Sequence, residues 1–293
     1  MNNEEIIKEQ KKINKFITFS KNELEEIEAL YQKIEENSQD EFLQAELSKI
    51  YINKIKKLKK AILIPFFARV DFKEENQNNT DNVYIGRTNI FDDKMNVVVA
   101  DWRAPISNIY YDGRIGKTEY ECLDRIIYGE LLLKRIYDIQ DGQLLSYNDI
   151  DITTNDDMLQ ECLKENSDAR LKNIVSTIQA EQNKIIRSDM FKPLIIQGVA
   201  GSGKTTVALH RIAYLVYTYE KHFNPEDFLI IAPNKFFLDY ISNVLPDLGV
   251  DYVRQETFEQ LALDIIDEKL EIENVNTKLV EILKNKNENN IMG

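Results

Sequence analysis

Over the first sixty positions apolar residues fall at Ile6, Ile13, Phe16, Leu24, Ile27 and Leu30, mostly at helical intervals, in a Glu- and Lys-rich background without Gly or Pro. Asn37-Ser38-Gln39-Asp40 then offers turn and cap chemistry, after which Phe42, Leu43, Leu47, Ile50, Ile55 and Leu58 resume the pattern. The expected element is an antiparallel helical hairpin over residues 1–64, each arm roughly 30 to 45 Å long at about 1.5 Å per residue. A plain coiled-coil dimerisation arm would carry the same pattern.

Pro65 ends the helical run, and the polar stretch 71–82 (DFKEENQNNTDN) reads as a surface loop. The period then changes. VYIGRTNIF, NVVVADW, SNIYYDG and RIIYGELLLKRIYDIQDGQLLSY are β-branched and aromatic runs separated by Gly, Asp and Asn. They predict a small antiparallel β-module within residues 65–155, with Asp141-Gly142 as a hairpin turn. From residue 156 a helical pattern runs to Arg187. LIIQG then reads as a buried strand, GKTTVALHRIAYLVYTYE as a helix, DFLIIAP as a second strand and NKFFLDYISNVL as a second helix. This alternation predicts an α/β lobe over 156–260 with a parallel sheet and right-handed crossovers. Residues 261–293 read as a helical tail, the start of a truncated insertion.

Composition narrows the class. With 43% hydrophobic and 30% charged residues the chain is of soluble globular type. It has no long apolar run, and MNNEEIIKEQ lacks the order of a signal peptide, so a cytoplasmic protein without a membrane partner is expected. Cys122 and Cys162 have no Cys or His at metal spacing and read as free thiols. His210 and His222 lack the partners of a catalytic dyad and read as structural. The net charge of -13 argues against a chain built mainly to grip a phosphate backbone. Nucleic-acid binding should be weak or lie elsewhere, or the main partner should be a protein.

The strongest chemical signal is Gly198-Val199-Ala200-Gly201-Ser202-Gly203-Lys204-Thr205, which satisfies G-x-x-x-x-G-K-[ST] without mismatch. Glycines let the backbone curl so that amide N–H groups face a phosphate, and the following helix adds its positive dipole end. Lys204 is expected to reach the β- and γ-phosphates of ATP, and the Thr205 hydroxyl to ligate Mg²⁺. The fold this implies is a P-loop NTPase (RecA-like) lobe, incomplete, preceded by the hairpin and the β-module.

The surrounding residues resemble a family. GVAGSGKTTVALHRIAYLVY (198–217) is similar to the first motif of UvrD/Rep-type superfamily 1 helicases, and TIQAEQNKIIR (177–187) to their Q-motif. The likeness implies that Gln182 reads the adenine edge, since a side-chain amide offers both a donor and an acceptor. FLIIAPNKFFLDYISNVLPDLG resembles motif Ia and Thr257-Phe258 the next motif, both tied in that family to single-stranded nucleic acid. Thr206 stands where the family usually carries arginine.

More specifically, IPFFARVDF, YIGRTNIFD, VADWRAPISNIYY, GELLLKRIYDI, IVSTIQAEQNKIIR and APNKFFLDYISNVLPDLG, in this order, resemble the HelD-like branch, UvrD-like ATPases associated with bacterial RNA polymerase. The likeness covers about 65–258 and implies an ATP-dependent DNA helicase or ATPase as the whole protein. It also implies RNA polymerase as a partner and an N-terminal arm that enters the polymerase secondary channel. The arm is shorter than that role suggests. Other readings are a UvrD/Rep-type helicase acting on single-stranded DNA, and an ATP-independent protein-docking module.

An acidic strand end and transition-state arginines complete such motors. The nearest imitation, Ile265-Ile266-Asp267-Glu268, reads instead as helix, because Phe258, Leu261, Ala262, Ile265 and Ile266 share one helical face. Weak ATP-Mg²⁺ binding and negligible hydrolysis are expected of this polypeptide by itself. Trp102, with Pro105 fixing the turn, is expected to anchor the β-module on the α/β lobe. Tyr214, Tyr217 and Tyr219 read as packing residues. Lys54–Lys60 (KIKKLKK) reads as a basic helix end that complements its own dipole.

Overall fold

The structure, a computed structural model, describes residues 3–37, 41–122, 125–150, 174–250 and 253–266 together with residue 283. Helices α1 (Asn3–Asn37) and α2 (Glu41–Leu63) form the hairpin, and Lys54 of the second pairs with Glu23 of the first at 2.9 Å. At about 1.5 Å per residue the 35 residues of α1 span about 52 Å and the 23 of α2 about 35 Å, so the first arm exceeds the expected length. The excess is not free arm. Ile13 and Phe16 are buried against Phe66, Tyr84 and Tyr137 of the β-module. The hairpin leaves the module near Ile17, whose Cδ1 would stand 2.8 Å from a Cβ on Gly142. From there to Asn37 the projecting arm is roughly 30 Å.

Charge fixes the angle of departure. Glu9 is fully buried; its carboxylate accepts from Arg69 Nη1 at 2.7 Å and from the Tyr84 hydroxyl at 3.0 Å, with Arg135 Nη1 at 3.6 Å. Arg135 also donates to Glu5 (2.9 Å) and to Asp149 (2.5 and 2.9 Å), and Arg69 grips Asp71 with two bonds of 2.7 Å. A carboxylate taken out of water needs such a cage, and Arg69, Tyr84 and Arg135 of the β-module supply it to α1. Burial and the Glu9 charge both push the Tyr84 hydroxyl up, keeping it a donor.

The module is a seven-stranded sheet in the order β3-β4-β2-β1-β6-β5, with β7 on β6. Its strands are β1 (Ala68–Glu74), β2 (Asp81–Gly86), β3 (Ile90–Phe91), β4 (Val97–Asp101), β5 (Gly116–Cys122), β6 (Arg125–Gln140) and β7 (Gln143–Asp149). Every pairing is antiparallel except β2 with β4. The Asp141-Gly142 turn is present, with both residues left-handed (φ 49° and 76°), as a two-residue hairpin of primed type requires.

Two expectations are corrected. Residues 71–74 and 81–82 are strand rather than loop: Ala68, Val70 and Phe72 are buried, and Asp71, which made the segment look solvated, is paired with the buried Arg69 and bonded by Asn82. SNIYYDG is not a strand. Pro105 starts a 3₁₀ turn that runs into α3 (Asn108–Asp112), a position suited to its fixed φ and missing N–H.

Beyond residue 174 the chain forms α4 (Ala180–Ile186), α5 (Lys204–Thr218), β8 (Leu229–Ala232), α6 (Lys235–Val244), β9 (Arg254–Thr257) and α7 (Phe258–Ile266). β8, the expected second strand, pairs in parallel with β9, a strand that was not among those expected. The buried strand expected at Leu194–Gly198 is absent: the segment has no ladder and Ile195 is 93% exposed. An apolar run becomes a strand only beside a neighbour, and among the described residues none pairs with it. What is observed is thus a mixed α/β chain with a mostly antiparallel sheet and a two-stranded parallel pair. The helical reading of 156–173, Cys162, Asp267 and Glu268 lie outside the described residues. Ile265 and Ile266 end α7, in agreement with the helical reading.

Candidate phosphate-binding site

The curl at 198–205 is formed. Gly201 and Gly203 both take φ of 79°, a left-handed conformation in which a side chain is strained. A Cβ at Gly198 would stand 2.6 Å from Ser202 Oγ, so that position also needs glycine. Gly203 is the N-cap of α5, whose first residue is Lys204, so the helix's unsatisfied N–H groups open onto the curl. Lys204 Nζ donates to the carbonyls of Gly198 (2.8 Å) and Val199 (2.7 Å) and spans the loop. Val199, Ala200 and Ser202 are exposed, while Lys204, Thr205 and Thr206 are half-buried at the helix start. The backbone conformation, the open face and the ammonium group fit a polyphosphate. Among the described residues no group of three or more His, Cys, Asp or Glu is placed to hold a metal ion. A magnesium ion here would rest on the nucleotide and the Thr205 hydroxyl.

Gln182 is beside this loop, as the motif reading requires. Its Nε2 would lie 3.4 Å from a Cβ on Gly203, and its Oε1 accepts from Gln179 N at 3.2 Å across the first turn of α4. The residues that hold α4 in place escaped the sequence reading. Arg211 of α5 donates through Nη1 to the carbonyls of Ile185 (3.0 Å) and Ser188 (2.7 Å), tying the end of α4 to the loop helix. Arg187 donates to the carbonyls of Trp102 (2.7 Å) and Arg103 (3.2 Å) and lies over the Tyr214 ring at 5.0 Å. Asn183, fully buried, donates to Asn108 Oδ1 at 2.7 Å. The available signal was the clustering of Asn183 and Arg187 one helical turn apart on a short helix, since i and i+4 share a face.

Trp102 anchors the β-module as expected: it is 1% exposed, and its ring meets His210 of α5 edge-on with centroids 5.6 Å apart. Tyr214 and Tyr217 lie under arginines of this seam, so they are packing residues, although against guanidinium faces rather than a sheet. His210 is structural. Its Nδ1 is 2.7 Å from the Thr206 carbonyl, which can only accept, so the proton sits on Nδ1 and Nε2 is buried without a partner.

Burial lowers the His210 pKa from 6.5, against the pull of the Thr206 carbonyl. A depressed folded value means that the unfolded chain takes up the proton first, so this contribution is complete above pH 6.5 and is lost as pH falls below it. The expected result is a stability loss of at most about 1.4 kcal/mol per pH unit below that point, attributable to one group. Chemical denaturation of wild type and His210→Phe across pH 7 to 5.5 checks it: the variant should show the shallower dependence, and parallel curves would exclude the assignment.

At the other end of the lobe the parallel register sets Ala232 opposite Thr257, so the turn that starts α6 and the Thr257-Phe258 step lie side by side. Asn234 Oδ1 caps α6 by accepting from Phe237 N at 2.9 Å, and Phe236 and Phe258 are 87% and 70% exposed. The two segments that resemble motif Ia and the motif after it therefore share one edge, at the carboxyl ends of parallel strands, where α/β ligand sites gather. No described helix is long and apolar enough to cross a membrane. Two family models match the chain: DNA helicase IV HelD, N-terminal domain, over residues 6–172, and UvrD/REP helicase N-terminal domain over residues 178–292. Comparison with curated proteins finds no match.

Proposed function

The chain belongs to the family described as DNA helicase IV HelD, N-terminal domain, and carries a UvrD/REP helicase N-terminal region, and from that premise we propose that it is the ATP-binding front part of a helicase-type motor acting on RNA polymerase and nucleic acid. The observation that carries the reading is the left-handed glycine curl closed by Lys204 at the N-terminus of α5, with the Gln182 amide against Gly203. Amide N–H groups of the curl and the Lys204 ammonium would hold the β- and γ-phosphates of ATP; Thr205 would take one Mg²⁺ position, and Gln182 would read the adenine edge. Bound Mg²⁺ would neutralise charge on the phosphates. Thr206 offers the helix start a hydroxyl where an arginine would offer a charge, and ATP binding is accordingly weak.

The hairpin, held at a fixed angle by the Glu9 cage, is suited to act as a rigid probe of about 30 Å toward a protein partner, which we assign as RNA polymerase. The net charge of -13 supports a protein partner over a nucleic-acid backbone as the main docking surface. Two titrations test this. ATP-Mg²⁺ should bind with micromolar to millimolar affinity, and immobilised chain should retain purified RNA polymerase at low salt. Absence of nucleotide binding at millimolar ATP would sink the motor reading. Retention of single-stranded DNA but not polymerase would favour a UvrD/Rep-type helicase acting directly on DNA. Polymerase binding that is indifferent to both ATP and Lys204→Ala would leave a docking module.

A further inference from the structure

One half of the Gln182 amide is already committed. Gln182 is the third residue of α4, and its Oε1 accepts from the backbone N–H of Gln179, the N-cap, at 3.2 Å. An N–H only donates, so the atom that meets it is the amide oxygen, and this partner fixes which way the group faces. The nitrogen leaves the same carbon on the other branch. Nε2 lies 3.4 Å from where a Cβ on Gly203 would stand, so the donor half is the one turned to the loop. α4 is held where this bond forms by the bond from buried Asn183 to Asn108 Oδ1 and by Arg211 on the Ser188 carbonyl. Turning the amide over would set its NH₂ against the Gln179 N–H, donor against donor.

Base identity depends on which half is offered. On the edge that carries N7, adenine presents that acceptor beside the N6 donor, whereas guanine presents two acceptors, N7 and O6. An amide offering oxygen and NH₂ together matches adenine. An amide whose oxygen caps a helix offers NH₂ alone, which matches N7 of either purine. We propose that Gln179, through its backbone N–H, is a positioning residue that sets nucleotide specificity: it holds Gln182 as a donor only, and the site takes purine nucleoside triphosphates, GTP about as readily as ATP. The inference rests on the phosphate-loop reading above and narrows the part of Gln182 in it to N7.

The test uses the full 293-residue chain and measures binding of ATP and GTP, each with Mg²⁺, by calorimetry. The two affinities should agree within about threefold, and the 7-deaza analogue of each should bind about 2- to 10-fold more weakly, because one neutral hydrogen bond is lost. Gln179→Pro removes the N–H at a position whose φ of -76° a proline ring accepts. It frees Oε1 for adenine N6 and should raise the ATP-to-GTP affinity ratio by about 3- to 10-fold. Gln179→Ala keeps the N–H and should leave the ratio unchanged. Loosened packing weakens both nucleotides together and does not move the ratio. Should the proline variant fail to fold, the ratio in the unsubstituted chain and the 7-deaza pair decide. A preference for ATP of about tenfold or more, undiminished binding of the 7-deaza analogues, or equal ratios in folded Gln179→Pro and Gln179→Ala would each overturn the proposal. Failure of both nucleotides to bind at millimolar concentration would instead remove the phosphate-loop reading, and this inference with it.

Discussion

Replacing Lys204 by alanine is expected to lower ATP affinity by roughly 10- to 150-fold while leaving thermal stability nearly unchanged. Hydrogen bonds to a charged group contribute about 1.5–3 kcal/mol, and each 1.4 kcal/mol is about tenfold in affinity. Lys204 is the one charged member of the curl; the glycine backbone and the N-terminus of α5 survive the substitution, so binding should weaken rather than vanish. In the free protein the ammonium rests on the Gly198 and Val199 carbonyls, which a polyphosphate must displace, and alanine removes that tie as well. Because Val199 is 79% exposed and the loop carries no core, the stability change should stay within about 0.5 kcal/mol. Isothermal titration with ATP-Mg²⁺, paired with a melting curve, checks both halves. A change in affinity below about threefold would remove Lys204 from the site.

The backbone curl at 198–205 was legible because its geometry is local: the spacing of three glycines and a lysine dictates a backbone path without reference to the rest of the chain. The two helices of the hairpin and the Asp141-Gly142 reversal were legible for the same reason. What failed depended on neighbours distant in sequence. LIIQG has every property of a buried strand except a partner, and Ile195 is consequently 93% exposed. β1 was hidden because Arg69 and Asp71 look solvated until each finds the other and Glu9, 60 residues away from Arg69, arrives on α1. SNIYYDG has strand-forming residues, but Tyr110 and Tyr111 gain hydroxyl bonds to the carbonyls of Ser176 (2.9 Å) and Val175 (3.1 Å), which a helical turn after Pro105 delivers. Arg211 could be named only once the end of α4 that it holds was in place.

These arginines also explain why the β-module belongs mechanically with the phosphate loop. Arg211 joins α5 to the end of α4, Arg187 joins α4 to the Trp102–Ala104 turn, and Trp102 returns to α5 through His210. The closed circuit leaves α4, which carries Gln182, and the start of α5, which carries Lys204, with little independent freedom. A displacement at the start of α5 must be absorbed within the circuit or passed to the module that carries the hairpin.

The sharpest test of that seam is Arg103→Ala, which should cost about 3–5 kcal/mol of stability. Asp101 is 2% exposed, and Arg103 neutralises it through Nη2 at 2.6 Å and Nε at 2.8 Å while Nη1 donates to the Leu248 carbonyl at 3.2 Å. The guanidinium also covers the Tyr217 ring at 4.6 Å, so truncation strips the lobe of a cation–π partner and leaves a buried carboxylate with only the Arg103 N–H and Leu248 with an unmet carbonyl. Melting should fall by roughly 5 to 15 °C. Asp101→Ala combined with Arg103→Met should recover part of the loss, because the apolar pair carries no desolvated charge. The readouts then cross: Lys204→Ala loses nucleotide and keeps its melting temperature, whereas Arg103→Ala melts early and, below its transition, still binds ATP. Equal stability of Arg103→Ala and wild type would show that the module is held to the lobe without the Asp101–Arg103 pair, by Trp102 packing and the Arg187 and Asn183 bonds.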